Sequence, residues 1–157
     1  MKNCGLLLII TWLWIFGASI LGAQPVLPDQ GWVSLFDGTS LSGWQGNPDL
    51  WRVEDGAITG ETTEENPLAN NTFIIWRGGV LEDFELQLEY RIFSGNSGVQ
   101  YRSFEVPEKK WVVGGYQADI EAGDRWSGAN YGELFRGILA KRGQRTVIGD
   151  DHKPKVT

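Results

Sequence analysis

The chain predicts an all-β fold, an antiparallel sandwich or barrel, on three observations. No stretch places apolar residues at helical spacing over three turns, and turn-forming residues recur about every ten positions. The third is residues 84–93, FELQLEYRIF, which alternate without a break. Phe84, Leu86, Leu88, Tyr90 and Ile92 fall on one face and Glu85, Gln87, Glu89 and Arg91 on the other, so the first set is expected in the core between two sheets.

In chain order, residues 1–23 combine the short positive start at Lys2, an apolar run over 6–16 interrupted only by Thr11, and a small-residue end at Leu21-Gly22-Ala23. That pattern is expected of a secretory leader cleaved after Ala23. The alternative is an uncleaved anchor, although the run is short for a span of about 20 residues. Cys4 precedes the apolar run and departs with the leader. Residues 31–36 alternate like a strand, and Asp37-Gly38-Thr39-Ser40 supplies a turn. Residues 51–60 predict a hairpin about Asp55-Gly56. A polar loop over 61–71 is followed by the apolar strand 73–76, ended by Gly78-Gly79. Residues 104–115 form an exposed excursion, 123–132 a glycine-rich loop, and 137–140 and 146–148 two further strands around a turn at Arg142-Gly143. The chain ends at Lys155-Val156-Thr157 in mid-pattern, so further strands are expected beyond it.

Composition narrows the function. Lys2 is the leader's one basic residue, so 13 of the 14 Lys and Arg and all 20 Asp and Glu stay in residues 24–157, a net charge of −7. An acidic exported domain is a poor partner for nucleic acid or for an anionic membrane surface, and no stable membrane association is expected once the leader is gone. Without a cysteine the domain rests on its core. Six Trp, six Phe and four Tyr remain, fit for core packing and also for stacking against sugar rings.

The stretch 96–121 carries the functional expectation. Asn96, Gln100 and Arg102 alternate with Val99 and Tyr101, while Gln117, Asp119 and Glu121 alternate with Tyr116, Ala118 and Ile120. Two such strands in one sheet present a polar face suited to a hydroxylated ligand.

These residues resemble a known family. Gly31-Trp32-Val33-Ser34-Leu35-Phe36-Asp37-Gly38, Gly43-Trp44, Trp51, Asp55-Gly56, Ile58-Thr59-Gly60, Asn96-Ser97-Gly98-Val99-Gln100-Tyr101-Arg102-Ser103 and Gly115-Tyr116-Gln117-Ala118-Asp119-Ile120 look like the 3-keto-disaccharide hydrolase domains. The resemblance covers nearly all of 24–157. It implies an exported bacterial enzyme, periplasmic or extracellular, with a concanavalin A-like jelly-roll sandwich that acts on 3-keto-glycosides and continues past Thr157.

A ketone at carbon 3 acidifies the proton on carbon 2, so the group on carbon 1 can leave by elimination and water can then add. That route needs a base, a donor or cation for the enolate oxygen, and an acid for the leaving oxygen. An ordinary glycosidase instead needs two carboxyl groups about 5 to 10 Å apart. Asp119 and Glu121, about 6 to 7 Å apart by strand rise, satisfy either requirement. As catalytic candidates they serve as base, acid or ligands of a divalent metal, the one cofactor left open; alternatively they pair with Arg102 or are solvated. Asn96, Gln100, Arg102 and Gln117 are candidates for holding sugar hydroxyls, and Trp126 and Tyr131 for stacking, against turn, ion-pair and core roles respectively. His152 is expected to be a solvated surface residue. No phosphate loop, dinucleotide fingerprint, zinc motif or nucleophile elbow is present. The alternative to an enzyme is a lectin-like carbohydrate-binding module.

Overall fold

The computed structural model describes residues 4–9, 31–65 and 67–157. Among them there is no helix, and every strand pair is antiparallel. One four-stranded sheet contains β1 (Cys4–Ile9), β3 (Trp51–Glu54), β4 (Ala57–Thr62) and β6 (Glu89–Ile92), in the order β3-β4-β1-β6. β2 (Trp44–Gln45) and β5 (Ile75–Trp76) form a separate two-stranded ladder. The second four-stranded sheet has the order β10-β9-β8-β7, from β7 (Asn96–Glu105), β8 (Val113–Glu121), β9 (Asn130–Glu133) and β10 (Gly137–Ala140). A last ladder joins β11 (Thr146–Ile148) to β12 (Pro154–Val156).

The hairpin at 51–60 forms as the sequence predicts. Asp55 and Gly56 have φ of 51° and 74°, the left-handed pair that lets a two-residue turn follow the twist of its strands. Upstream, the Asp37 carboxylate closes the expected turn, accepting the backbone N–H groups of Thr39 and Ser40 at 2.7 Å each. The Ser40 hydroxyl, with these two backbone bonds behind it, holds the Asp37 pKa down at about 2. Residues 31–36 form no strand, contrary to expectation. They have no neighbouring ladder, Trp32 and Val33 are exposed, and of this run Phe36 alone joins the core with Leu50, Ala57 and Ile58.

Of the expected leader, residues 1–3 and 10–23 lie outside the described residues. Cys4–Ile9 lies between β4 and β6, with Leu6 opposite both Gly60 and Ile92. Among the described residues β6 pairs only over Glu89–Ile92, and residues 84–88 carry no ladder. The ten-residue core strand expected at 84–93 is therefore shortened to four residues. Phe84, Leu86 and Tyr90 remain 45, 42 and 46% exposed. With Leu88 they line one side of an open cavity of about 710 Å³, whose other side includes Val99, Tyr101 and Ile120 of β7 and β8. The two large sheets thus face each other as a sandwich across an interior that opens to solvent.

Candidate functional site: the polar face of β7, β8 and β9

β8 is the centre of the site because its neighbours bring side chains to both of its edges. Asn96 pairs with Glu121, Gly98 with Asp119 and Gln100 with Gln117 on one side, while Tyr131 pairs with Gln117 and Glu133 with Gly115 on the other. Directly paired residues in an antiparallel ladder share a face. Asn96, Gln100, Gln117, Asp119 and Glu121 therefore come together as the sequence predicts, and Tyr131, expected on a loop, joins them from β9. Their exposure is graded: Asn96 is exposed, Asp119, Glu121 and Tyr131 are half-buried, and Gln117 is only 7% exposed.

Arg102 does not join them. The pairing slips by one residue between Tyr101 and Phe104, so that Arg102 and Ser103 together stand opposite Gly115. This is a β-bulge, with Arg102 at φ 47°. The extra residue inverts the phase of the strand, turning Arg102 toward the Asp83 carboxylate at 3.3 Å and bringing Ser103 onto the polar face instead. Arg102 pairs with Asp83 rather than with Asp119 or Glu121, although Arg102 and Asp119 both line the open cavity between the sheets.

On the polar face a chain of hydrogen bonds runs in one direction. The Ser103 hydroxyl donates to Gln100 Oε1 at 2.9 Å, Gln100 Nε2 to Gln117 Oε1 at 2.9 Å, and Gln117 Nε2 to Asp119 Oδ1 at 2.7 Å. Each amide is oriented by the one before it, and the chain ends on a carboxylate, which accepts but cannot donate when ionised. Burial pushes the Asp119 carboxyl pKa up; the Gln117 amide opposes that, and the nearby Glu121 charge adds to the rise. A half-buried carboxylate held in one orientation, with its proton affinity raised, has the properties of a general base.

Glu121 is engaged differently. Its Oε2 accepts the backbone N–H groups of Arg125 at 3.0 Å and Trp126 at 2.9 Å, and the Ser127 hydroxyl bonds its backbone. Trp126 sits on the loop so formed, half-buried, with the Arg125 guanidinium 4.5 Å from its ring centroid.

The structure adds Glu133, which sequence reasoning missed. It is 7% exposed, and its Oε2 accepts from Asn71 Nδ2 at 3.1 Å, a bond that ties the 67–74 loop onto the sheet. Its period-two spacing from Tyr131 was available as a signal, but the glycine-rich run before it reads as a loop. Among the described residues, no three His, Cys, Asp or Glu side chains converge in a way that could hold a metal ion.

This geometry can be set beside known proteins. Residues 31–156 match the family described as the 3-keto-alpha-glucoside-1,2-lyase-like domain. The chain belongs to that family. A 3-keto-disaccharide hydrolase of Bacteroides thetaiotaomicron is 32% identical over 87 residues, which cover 50% of this chain and 30% of that protein. The chain thus spans under a third of that relative's length. No solved structure matches. As a member of the 3-keto-alpha-glucoside-1,2-lyase-like family, the chain has β7, β8 and β9 wholly within the matched region, so every residue of the polar face lies inside it.

Proposed function

We propose that this domain cleaves the glycosidic bond of 3-keto-glycosides, with Asp119 as the base. The observation that carries the reading is the one-way chain Ser103, Gln100, Gln117, Asp119, which delivers an oriented carboxylate of raised pKa to a polar sheet face in a member of this family. The Asp119 carboxylate takes the proton from carbon 2, and the electron pair moves into the carbon 3 carbonyl as an enolate. As the enolate re-forms the ketone, the bond from carbon 1 to the leaving oxygen breaks, and that oxygen takes a proton. The products of this step are an enone and an alcohol. Addition of water across the double bond completes a net hydrolysis, so the lyase of the family's description and the hydrolase of the relative's name describe one route stopped at different points. Gln100, half-buried and with a second amide N–H, is suited to donate to a substrate oxygen.

The leader-like pattern of residues 1–23 supports export to the periplasm or beyond. The test is incubation of the protein with 3-keto-trehalose and with trehalose, in D₂O. Cleavage of the ketone alone, with deuterium on carbon 2 of the released keto sugar, is expected. Binding of both without cleavage of either would favour a lectin-like module, and cleavage without deuterium would exclude elimination.

A further inference from the structure

We infer that Glu121 is a positioning residue, whose carboxylate shapes the 121–128 loop so that Trp126 forms a stacking platform for the second sugar ring of a disaccharide. The inference rests on the reading of the Asp119 face as the carbohydrate site. Three observations carry it. One oxygen of Glu121 already holds two consecutive backbone N–H groups, those of Arg125 and Trp126. The Ser127 hydroxyl accepts from Glu121 N and donates to Glu121 O, so both ends of the loop are tied to one residue. The loop also leans on the catalytic strand, since Gly128 N–H donates to Asp119 O and Asp119 N–H donates to Ala129 O, each at 3.0 Å. Trp126 is thereby held near Asp119 by the Glu121 carboxylate on one side of the loop and by backbone bonds on the other. Arg125 lies over the indole, 4.5 Å from its centroid, a cation–π contact that helps hold the ring in place. The axial C–H bonds of a pyranose pack on such a face as other apolar edges do. Two carboxylates that look equivalent by spacing therefore have separate duties, Asp119 toward the reacting carbon and Glu121 toward the loop.

The test separates a positioning role from a catalytic one. Glu121→Gln keeps an oxygen able to accept both N–H groups, whereas Glu121→Ala removes it. With trehalose, sucrose, maltose and their 3-keto forms as probes, Kd is measured by titration and kcat and KM by product release, with circular dichroism as the check on folding. Trp126→Ala is expected to weaken Kd and raise KM about tenfold, with kcat little changed. Glu121→Ala should do the same, Glu121→Gln should stay near wild type, and the double Ala variant should be no worse than either single one. A fall in kcat of a hundredfold or more in Glu121→Gln at unchanged KM would put Glu121 on the reacting atoms and overturn the inference, as would additive effects of the two Ala changes. If the wild type binds disaccharides without cleaving any, the catalytic reading fails while the Kd cycle still decides this one. If it binds none, both fall.

Discussion

Gly98 lies directly across from Asp119 on the neighbouring strand, and a methyl group added to Gly98 would stand 2.5 Å from Gln117 Cγ and 2.8 Å from the Ala118 carbonyl oxygen. The space that a side chain at 98 would fill is the space through which Gln117 reaches Asp119. Gly98→Ala is therefore expected to displace the Gln117 amide, to cost about 1 to 3 kcal/mol of stability by overpacking, and to lower kcat on a 3-keto-disaccharide. Urea unfolding and initial rates measure the two effects; a fully active variant of wild-type stability would show that the hydrogen-bond chain does not matter.

Asp119→Asn removes the base and is expected to lower kcat by about 10² to 10⁴-fold, while leaving disaccharide binding in place. The wild-type rate should depend on pH with a definite sign. Asp119 acts ionised, so kcat/KM should rise with pH along an acid limb lying above the ordinary carboxyl value of 3.8, because burial raises its pKa. Gln117→Leu deletes the donor that opposes the rise, and should move the limb to still higher pH. The same shift acts on stability. The fold binds this proton more tightly than the unfolded chain does, so the contribution is present below 3.8 and is lost as pH rises through the raised pKa. A limb at or below 3.8 would assign the titration to another group.

Asn71→Ala takes away the donor seen on the Glu133 carboxylate, which is 93% shielded from solvent. A buried acceptor that loses its partner is expected to cost about 1 to 3 kcal/mol, and the 67–74 loop should become more sensitive to protease. Unchanged unfolding and cleavage rates would mean that water replaces the amide without loss.

Arg102→Gly should be harmless to catalysis and mildly stabilising. Its ion pair with Asp83 is exposed and long, worth about 0 to 1 kcal/mol, whereas its left-handed backbone at φ 47° strains a non-glycine residue by about 1 to 2 kcal/mol. Thermal unfolding and kcat together check this. A tenfold loss of kcat would return Arg102 to the site.

The parts of this site legible in the sequence are those fixed over a few residues. Asp55-Gly56 dictates its own hairpin, and period two across Tyr116, Gln117, Ala118, Asp119 and Ile120 sorts the side chains of β8 onto two faces without reference to any other strand. What escaped depends on partners distant in the chain. A strand needs a laddered neighbour, which residues 84–88 lack among the described residues, so strict alternation over 84–93 did not make ten residues of strand. Glu133 gains its role from Asn71, 62 residues away. The duty of Glu121 depends on a loop whose path no periodicity describes. The slip at Arg102 has no compositional mark, since neither Arg102 nor Ser103 is the glycine that usually announces a left-handed residue.

That slip bears on how the chain length of this strand can vary. Because two residues, Arg102 and Ser103, share the place opposite Gly115, removing Arg102 would leave Gln100, Ser103 and Glu105 on the face they already occupy. Loss of any one residue within 96–101 would instead send the residues on one side of the gap to the opposite face. Position 102 is thus the point in β7 where a one-residue gap is silent, and alignments of this family should concentrate their length differences there, while the six residues before it hold a constant count.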